Sequence, residues 1–251
     1  MVGLVGILNV TPDSFSDGGA FFDPEIAIKQ AYSLFNEGAQ LVDVGAESTR
    51  PNATILSDEE EWSRLKPVLE VLIAKYPGQI SLDSYHPATV KKAWAIGPVI
   101  MNDVTGFNDL AMRQLAVQHN ATVIISHLPP HLTLQQAHDA TPVQTVAQVK
   151  NELLVKAKIL EEEGLERSHI ILDPGIGFGK TPEVNQQLLT FAELVPEYQV
   201  MIGYSRKRFL GNNRMEIGPN LEAGKVAIES GAVYLRVHDV AGHNLLLPSI
   251  E

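Results

Sequence analysis

The sequence predicts an α/β fold, a (β/α)8 barrel, as one domain over residues 1–251. Three observations predict it. Short apolar runs alternate with stretches of helical period about eight times along the chain. The apolar runs are nearly continuous, as in strands buried on both faces. Nearly every run ends in a polar or charged residue, which suits a barrel with its functional groups at the C-terminal rim. A doubly wound open sheet is the alternative arrangement of the same alternation.

Taken in order, the strands are predicted over 3–10, 40–46, 79–84, 99–103, 122–127, 169–174, 198–203 and 232–238. Helices are predicted over 24–37, 58–75, 87–95, 108–118, 145–163 and 220–230. Asp23-Pro24 and the pair Asp58 and Glu61 read as helix starts, and Gly38 and Gly164 follow last turns. The sequence shows no Pro/Gly/Ser-rich linker and no apolar stretch long enough to span a bilayer.

Composition excludes several function classes. With 0 cysteines, disulfides and thiolate metal sites are impossible. A net charge of −11 argues against nucleic acid and anionic membranes as partners. The N-terminal MVGLVGILNV lacks the basic flank and cleavage site of a signal peptide, so a cytoplasmic enzyme is the expectation.

The most informative stretch is ILDPGIGFGKT, from Ile171 to Thr181. An apolar run stops at Asp173, and the backbone beyond it is rich in glycine, which permits close approach of a ligand. The string fits neither the Walker pattern, which needs a glycine at Pro174, nor the dinucleotide fingerprint, which needs one at Lys180. Asp173 therefore carries the signal, although a carboxylate at a strand end also serves as a helix cap.

The other strand ends supply Asn9, Asp43, Asp83, Asn102-Asp103, Ser126-His127, and Arg236, His238 and Asp239. Glu47, Thr49 and Arg50 follow the second strand, and Ser205-Arg206-Lys207 follow the seventh. Asp83, Asn102, Asp173 and Lys207 suit a flat, nitrogen-rich heterocycle, because a carboxylate accepts paired bonds from an amino-pyrimidinone edge. Asn9, Arg50, Arg236 and His238 suit an anion. His127, His131 and His138 are close in sequence, but Pro129 and Pro130 break any helix that would align them on a metal, so they read as a loop with incidental histidines.

The strings GILNVTPDSFSDGG, ESTRP, NDVTG, DPGIGFGKT, SRKRF and RVHD occur in this order and resemble the dihydropteroate synthase family from Gly3 to Asp239. The resemblance implies a TIM barrel and a transferase of folate synthesis that is a target of sulfonamides. Its reaction joins 6-hydroxymethyl-7,8-dihydropterin diphosphate to p-aminobenzoate, giving 7,8-dihydropteroate and diphosphate. It implies that Asp83, Asn102, Asp173 and Lys207 hold the pterin, with Phe178 beside it. It assigns the anion to Arg50, Arg236 and His238, and Mg²⁺ to Asn9. Phe15, Thr49, Pro51 and Ser205 are implied around p-aminobenzoate. On this resemblance, catalysis rests with Lys207, Arg236, His238 and Arg50, by a dissociative path without a protein nucleophile.

The chain departs from the family in four places. Ala46 and Asn52 replace glycines, and the fifth strand ends Ser126-His127-Leu128-Pro129-Pro130 in place of MHMQG. Only a short insert, 211–219, precedes the last long helix, and 240–251 replace a full final helix, which predicts a weakened homodimer. A non-catalytic pterin-binding paralogue and a methyltetrahydrofolate corrinoid methyltransferase are the alternative functions; the second has no use for the anion set.

Overall fold

A computed structural model describes residues 2–11, 23–47, 55–130, 132–133, 136 and 143–247. Eight parallel strands close into a barrel in sequence order. They are β1 (Gly3–Asn9), β2 (Leu41–Gly45), β3 (Ile80–Asp83), β4 (Ile100–Asp103), β5 (Val123–Ser126), β6 (Ile170–Asp173), β7 (Gln199–Ile202) and β8 (Tyr234–Val237). Pairing of β1 with β8, with Val5 opposite Arg236, closes the ring and rules out the open sheet.

Helices return the chain on the outside: α1 (Pro24–Asn36), α2 (Asp58–Lys75), α3 (Pro87–Ile96), α4 (Leu110–Gln118), α5 (Val146–Glu162), α6 (Pro182–Gln187), α7 (Ile217–Glu229) and α8 (Val240–His243). Their starts follow capping chemistry. The Asp23 carboxylate accepts from Glu25 N at 2.9 Å, with Pro24 opening α1. α2 spans the predicted residues, but its cap is one residue earlier than the pair Asp58 and Glu61 suggests. Ser57 and Glu60 form the capping box, Glu60 N to Ser57 Oγ at 3.3 Å and Ser57 N to Glu60 Oε2 at 3.0 Å. Glu61 instead lies buried and accepts from Ser84 Oγ.

Two further differences concern helices. α7 begins at Ile217 rather than at Asn220, since Pro219 is tolerated in a first turn. The segment after β6 folds into α6 and a 3₁₀ stretch, Leu188–Leu194, too short and irregular for helical period to reveal.

Alternation along the strands separates two cores. Leu4, Leu8, Val42, Val44, Leu82 and Val237 belong to the large cluster between barrel and helices. Val5, Leu41, Ile124, Ile171 and Met201, with Ile100 and Tyr234, form a separate small cluster. These residues pair across the ring, Val5 with Leu41 and Ile124 with Ile171, and plug the barrel interior. Two residues beyond Leu41, Ile100, Ile124, Ile171 and Tyr234, on the same inward face, stand the polar groups Asp43, Asn102, Ser126, Asp173 and Arg236. Among the described residues, no helix is long and apolar enough to cross a membrane.

Candidate active site

The site grows from Asp43, in the middle of β2. Its inward-facing carboxylate is 1% exposed and collects donors from three strands. Ser81 Oγ donates to Oδ1 at 2.5 Å, and Arg236 Nε donates to Oδ2 at 2.6 Å. Asn102 Nδ2 lies 3.1 Å from both oxygens. Register explains the convergence, since Asp43 is opposite Ser81 on β3, and Asp83, two residues on, is opposite Asn102 on β4. The other arm of Arg236 reaches Asp83, Nη2 to Oδ2 at 2.9 Å. One guanidinium thus spans two carboxylates, a geometry that suits its planar fork.

The anion group and the heterocycle group of the sequence reading therefore interlock at this point. Arg236 is ion-paired with Asp43 and Asp83. Burial works against the Arg236 charge, but Asp43 and Asp83 outweigh it and raise its pKa. Burial, and then the Asp43 charge, push the Asp83 carboxyl up to about 7, with Arg236 opposing.

Across the mouth, β6 ends at Asp173, whose Oδ1 accepts from Gly175 N at 2.7 Å. Burial pushes this carboxyl up, while the Lys207 ammonium pulls it back. Burial also lowers the Lys207 pKa to about 8, against the pull of Asp173. Lys207 Nζ donates to the Ile176 carbonyl and lies 5.1 Å from the centre of the Phe178 ring. Asp83, Asn102, Asp173, Lys207, Phe178 and Arg236 are thus gathered at one end of the barrel.

Ser205 and His238 form a pair beside them, Oγ to Nδ1 at 3.0 Å, and the same hydroxyl accepts from His238 N at 3.3 Å. Asn9 ends β1 opposite Gly45. Phe15, Thr49, Arg50, Pro51 and Asn52 lie outside the described residues, as do His131 and His138.

The loop after Asp173 uses its glycines for its own shape. Gly175, Gly177 and Gly179 have φ of 63°, 90° and 56°, a region that L side chains rarely adopt. A Cβ on Gly175 would also overlap the His127 carbonyl. Lys180 ties the loop together, its Nζ donating to the carbonyls of Gly175 (2.8 Å), Phe178 (2.9 Å) and His127 (3.3 Å). Thr181 caps α6, accepting from Val184 N at 3.2 Å.

Some strand-end groups have local structural roles. Asp103 shapes the NDVTG turn, accepting from Thr105 N at 2.7 Å and Phe107 N at 3.0 Å. Asp239 caps α8 through Gly242 N at 2.8 Å. Glu47 accepts from Leu56 N at 3.0 Å and Tyr85 Oη at 2.7 Å. His127 points outward from β5 and is fully buried, its Nε2 2.7 Å from Glu152. Burial, with Lys180 and Lys156 nearby, depresses its pKa and holds the ring neutral, so Nε2–H donates to Glu152.

Asp43 is the central residue that the sequence reading noted at a strand end without giving it a site role. The usable signal was a charge inside LVDVG, where a strand buried on both faces has no solvent to receive it. Of the departures, Ala46 is fully buried and its carbonyl accepts from Arg64 at 3.3 Å. Ser126 lies opposite Asp173 in the ladder.

Comparison with known proteins agrees with this geometry. The pterin binding enzyme family model matches residues 5–238. The chain is 36% identical to the dihydropteroate synthase of Bacillus subtilis, over 94% of its own length and 83% of the relative's. It is 38% identical to a probable bifunctional folylpolyglutamate synthase/dihydropteroate synthase of Haloferax volcanii, over 94% of this chain and 29% of that one. Among solved structures, dihydropteroate synthase of Xanthomonas albilineans with 4-aminobenzoic acid superposes with a TM-score of 0.86 at 35% identity, covering 98% of this chain and 90% of the other. An inward ring of bonded carboxylates, amide and guanidinium on a closed barrel, and a family match running nearly end to end, place this chain in the pterin-binding enzyme family, among the dihydropteroate synthases.

Proposed function

We propose that the chain joins 6-hydroxymethyl-7,8-dihydropterin diphosphate to p-aminobenzoate, forming 7,8-dihydropteroate and releasing diphosphate. The observation that carries this reading is the cluster of Asp83, Asn102, Asp173 and Lys207 at the barrel mouth, with the Asp173 and Asp83 carboxylates acting on Lys207 and the Asn102 amide held by Asp43. The amino-pyrimidinone edge of a pterin has several N–H donors, and buried carboxylates reward them strongly. Lys207 supplies a donor to the heterocycle's acceptors, and Phe178 covers its face.

The bond from the pterin methylene to the diphosphate oxygen breaks, and its electron pair leaves with the diphosphate. The arylamine nitrogen then forms the new C–N bond and loses a proton. Arg236 and His238 stabilise the departing anion, with Arg50 assigned to the same task by the resemblance. Ser205, with Phe15, Thr49 and Pro51, is assigned to hold p-aminobenzoate in line. No side chain needs to act as nucleophile.

Asn9 is the proposed contact for Mg²⁺. It offers one amide oxygen at the end of β1. That fits an ion that keeps several waters and takes its remaining ligands from substrate phosphates. Bound there, the metal supplies charge neutralisation on the diphosphate. A cytoplasmic setting accords with the 0 cysteines of the chain.

The test is diphosphate release by the purified chain, with Mg²⁺, in the presence of the pterin diphosphate and p-aminobenzoate. Release that requires both substrates is expected. Pterin binding without release would turn the reading to a non-catalytic binding protein.

A further inference from the structure

The Asn102 amide has two ends with opposite hydrogen-bonding character, and its environment distinguishes them. Its nitrogen meets both oxygens of Asp43 at 3.1 Å. Asp43 already accepts from Ser81 and Arg236, and a carboxylate held in this way offers acceptors only. The amide must therefore present its N–H₂ to Asp43. Its carbonyl oxygen, on the far side, is buried and has no partner among the described residues. An unpaired buried acceptor is costly, and a donor on a ligand removes the cost.

We propose that Asp43 is a positioning residue that sets the polarity of the pterin seat: by holding the Asn102 nitrogen, it fixes the Asn102 carbonyl as an acceptor for a ring or amino N–H. The inference rests on the pterin reading above and deepens it, because it says why that seat takes a donor edge at this position. Asp43 acts through Asn102 and has no need to touch the ligand. Its second tie, to Arg236, aligns the guanidinium that in turn holds Asp83. The carboxylate thus serves both walls of the seat from underneath.

Substitution Asp43→Asn reverses the polarity. Arg236 Nε claims the new carbonyl oxygen, so of the two oxygens that held the Asn102 nitrogen one is shared with Arg236 and the other is replaced by an amide nitrogen that faces it. Two donors repel, so Asn102 turns over and offers N–H where the ligand also offers N–H. A mismatched donor pair in a buried site is rejected far more strongly than a merely weakened contact.

The experiment is a double-mutant cycle read by calorimetric binding of 6-hydroxymethylpterin to the purified chain, Asp43→Asn, Asn102→Ala and the double variant. We expect Asp43→Asn alone to weaken binding at least about 10-fold, as for a buried polar group left unpaired. In the Asn102→Ala background the same change should weaken it less than about 3-fold, as coupling through Asn102 requires. Equal losses in both backgrounds would show that Asp43 acts only as structure or counter-charge, and unchanged affinity in Asp43→Asn would remove it from the site; either overturns the proposal. If Asp43→Asn does not fold, the exchange Asp43→Asn with Asn102→Asp keeps the charge and restores an acceptor toward the seat. Its binding should lie within about 10-fold of the parent, and a larger loss overturns the proposal. Failure of the parent chain itself to bind the pterin would overturn the functional reading first, and this inference with it.

Discussion

The inner and outer faces of the same eight strands have different chemistry. Most outward residues, such as Leu82, Leu172 and Leu235, are aliphatic, fully buried, and packed in the cluster between barrel and helices. Inward residues change character along the barrel axis. Leu41, Ile171 and Met201 plug one end. Asp43, Asp173 and Arg236, one inward position on, make the polar ring at the other. The outer face holds its shape by burial, which is non-directional. The inner rim holds its shape by hydrogen bonds, so each member fixes the geometry of its neighbours. Damage on the outer face should therefore appear in stability, and damage on the inner rim in ligand recognition.

Arg236 tests that division most severely, because it joins both properties. Removing it leaves Asp43 and Asp83 facing each other without a counter-charge, which costs about 3 kcal/mol or more for a partly buried pair. Arg236→Ala should lower urea-unfolding stability by that order and also abolish turnover. Stability equal to the parent's would show that the two carboxylates simply share a proton.

Leu172→Ala is the outer-face counterpart. It removes a fully buried side chain between barrel and helices and should cost about 2–4 kcal/mol of stability. Pterin affinity of the folded fraction should remain within about 3-fold of the parent, as expected of a site that it does not touch. A large change in affinity at full folding would break the comparison.

Asp173→Asn is the inner-face case. It keeps the shape and weakens the charge-assisted contact, so pterin affinity should fall by about 1–3 kcal/mol. Thermal unfolding should stay near the parent value or rise, because burial already disfavours the Asp173 charge. A fall in stability as large as the fall in affinity would argue that Asp173 is structural.

The smallest effect concerns pH and an outward group. His127 is buried neutral, with its pKa held below the usual value by burial. Below pH ~6.5 the unfolded chain binds a proton there that the native state does not, so stability falls as pH falls from that point. The slope from this one group is at most about 1.4 kcal/mol per pH unit. Chemical denaturation from pH 7 to 5 should show this component, and His127→Gln should lack it. An identical pH dependence in the variant would place the acid sensitivity elsewhere.

Pattern alone was enough for eight strand–helix units, because alternation and buried apolar runs are local properties that survive in one dimension, but the pairing of β1 with β8 was needed to choose the barrel over the open sheet. The rim was legible for a similar reason. A charge that closes an apolar run, as at Asp83 or Asp173, marks a strand end whether or not its partners are known. Glycines in DPGIGFGKT also announced an unusual backbone, which the structure shows as positive φ at Gly175, Gly177 and Gly179 and a close approach of Gly175 to His127.

Pairing was not legible. The types of Arg236 and His238 pointed to an anion, but nothing in the sequence told that the Arg236 guanidinium is also bound to Asp43 and Asp83, 193 and 153 residues away. The fate of individual carboxylates was equally open. Asp103 turned back to its own loop, and Asp43, four residues before Glu47 in the same stretch, became the centre of the site. The sequence determined by itself the eight strands, most of the long helices and which residue types stand at the rim, since propensity, period and capping act over a few residues, whereas the short α6 and the 3₁₀ stretch after it left no such signal. Only the tertiary structure decided which of those groups meet, because register and barrel closure bring together strands from opposite ends of the chain.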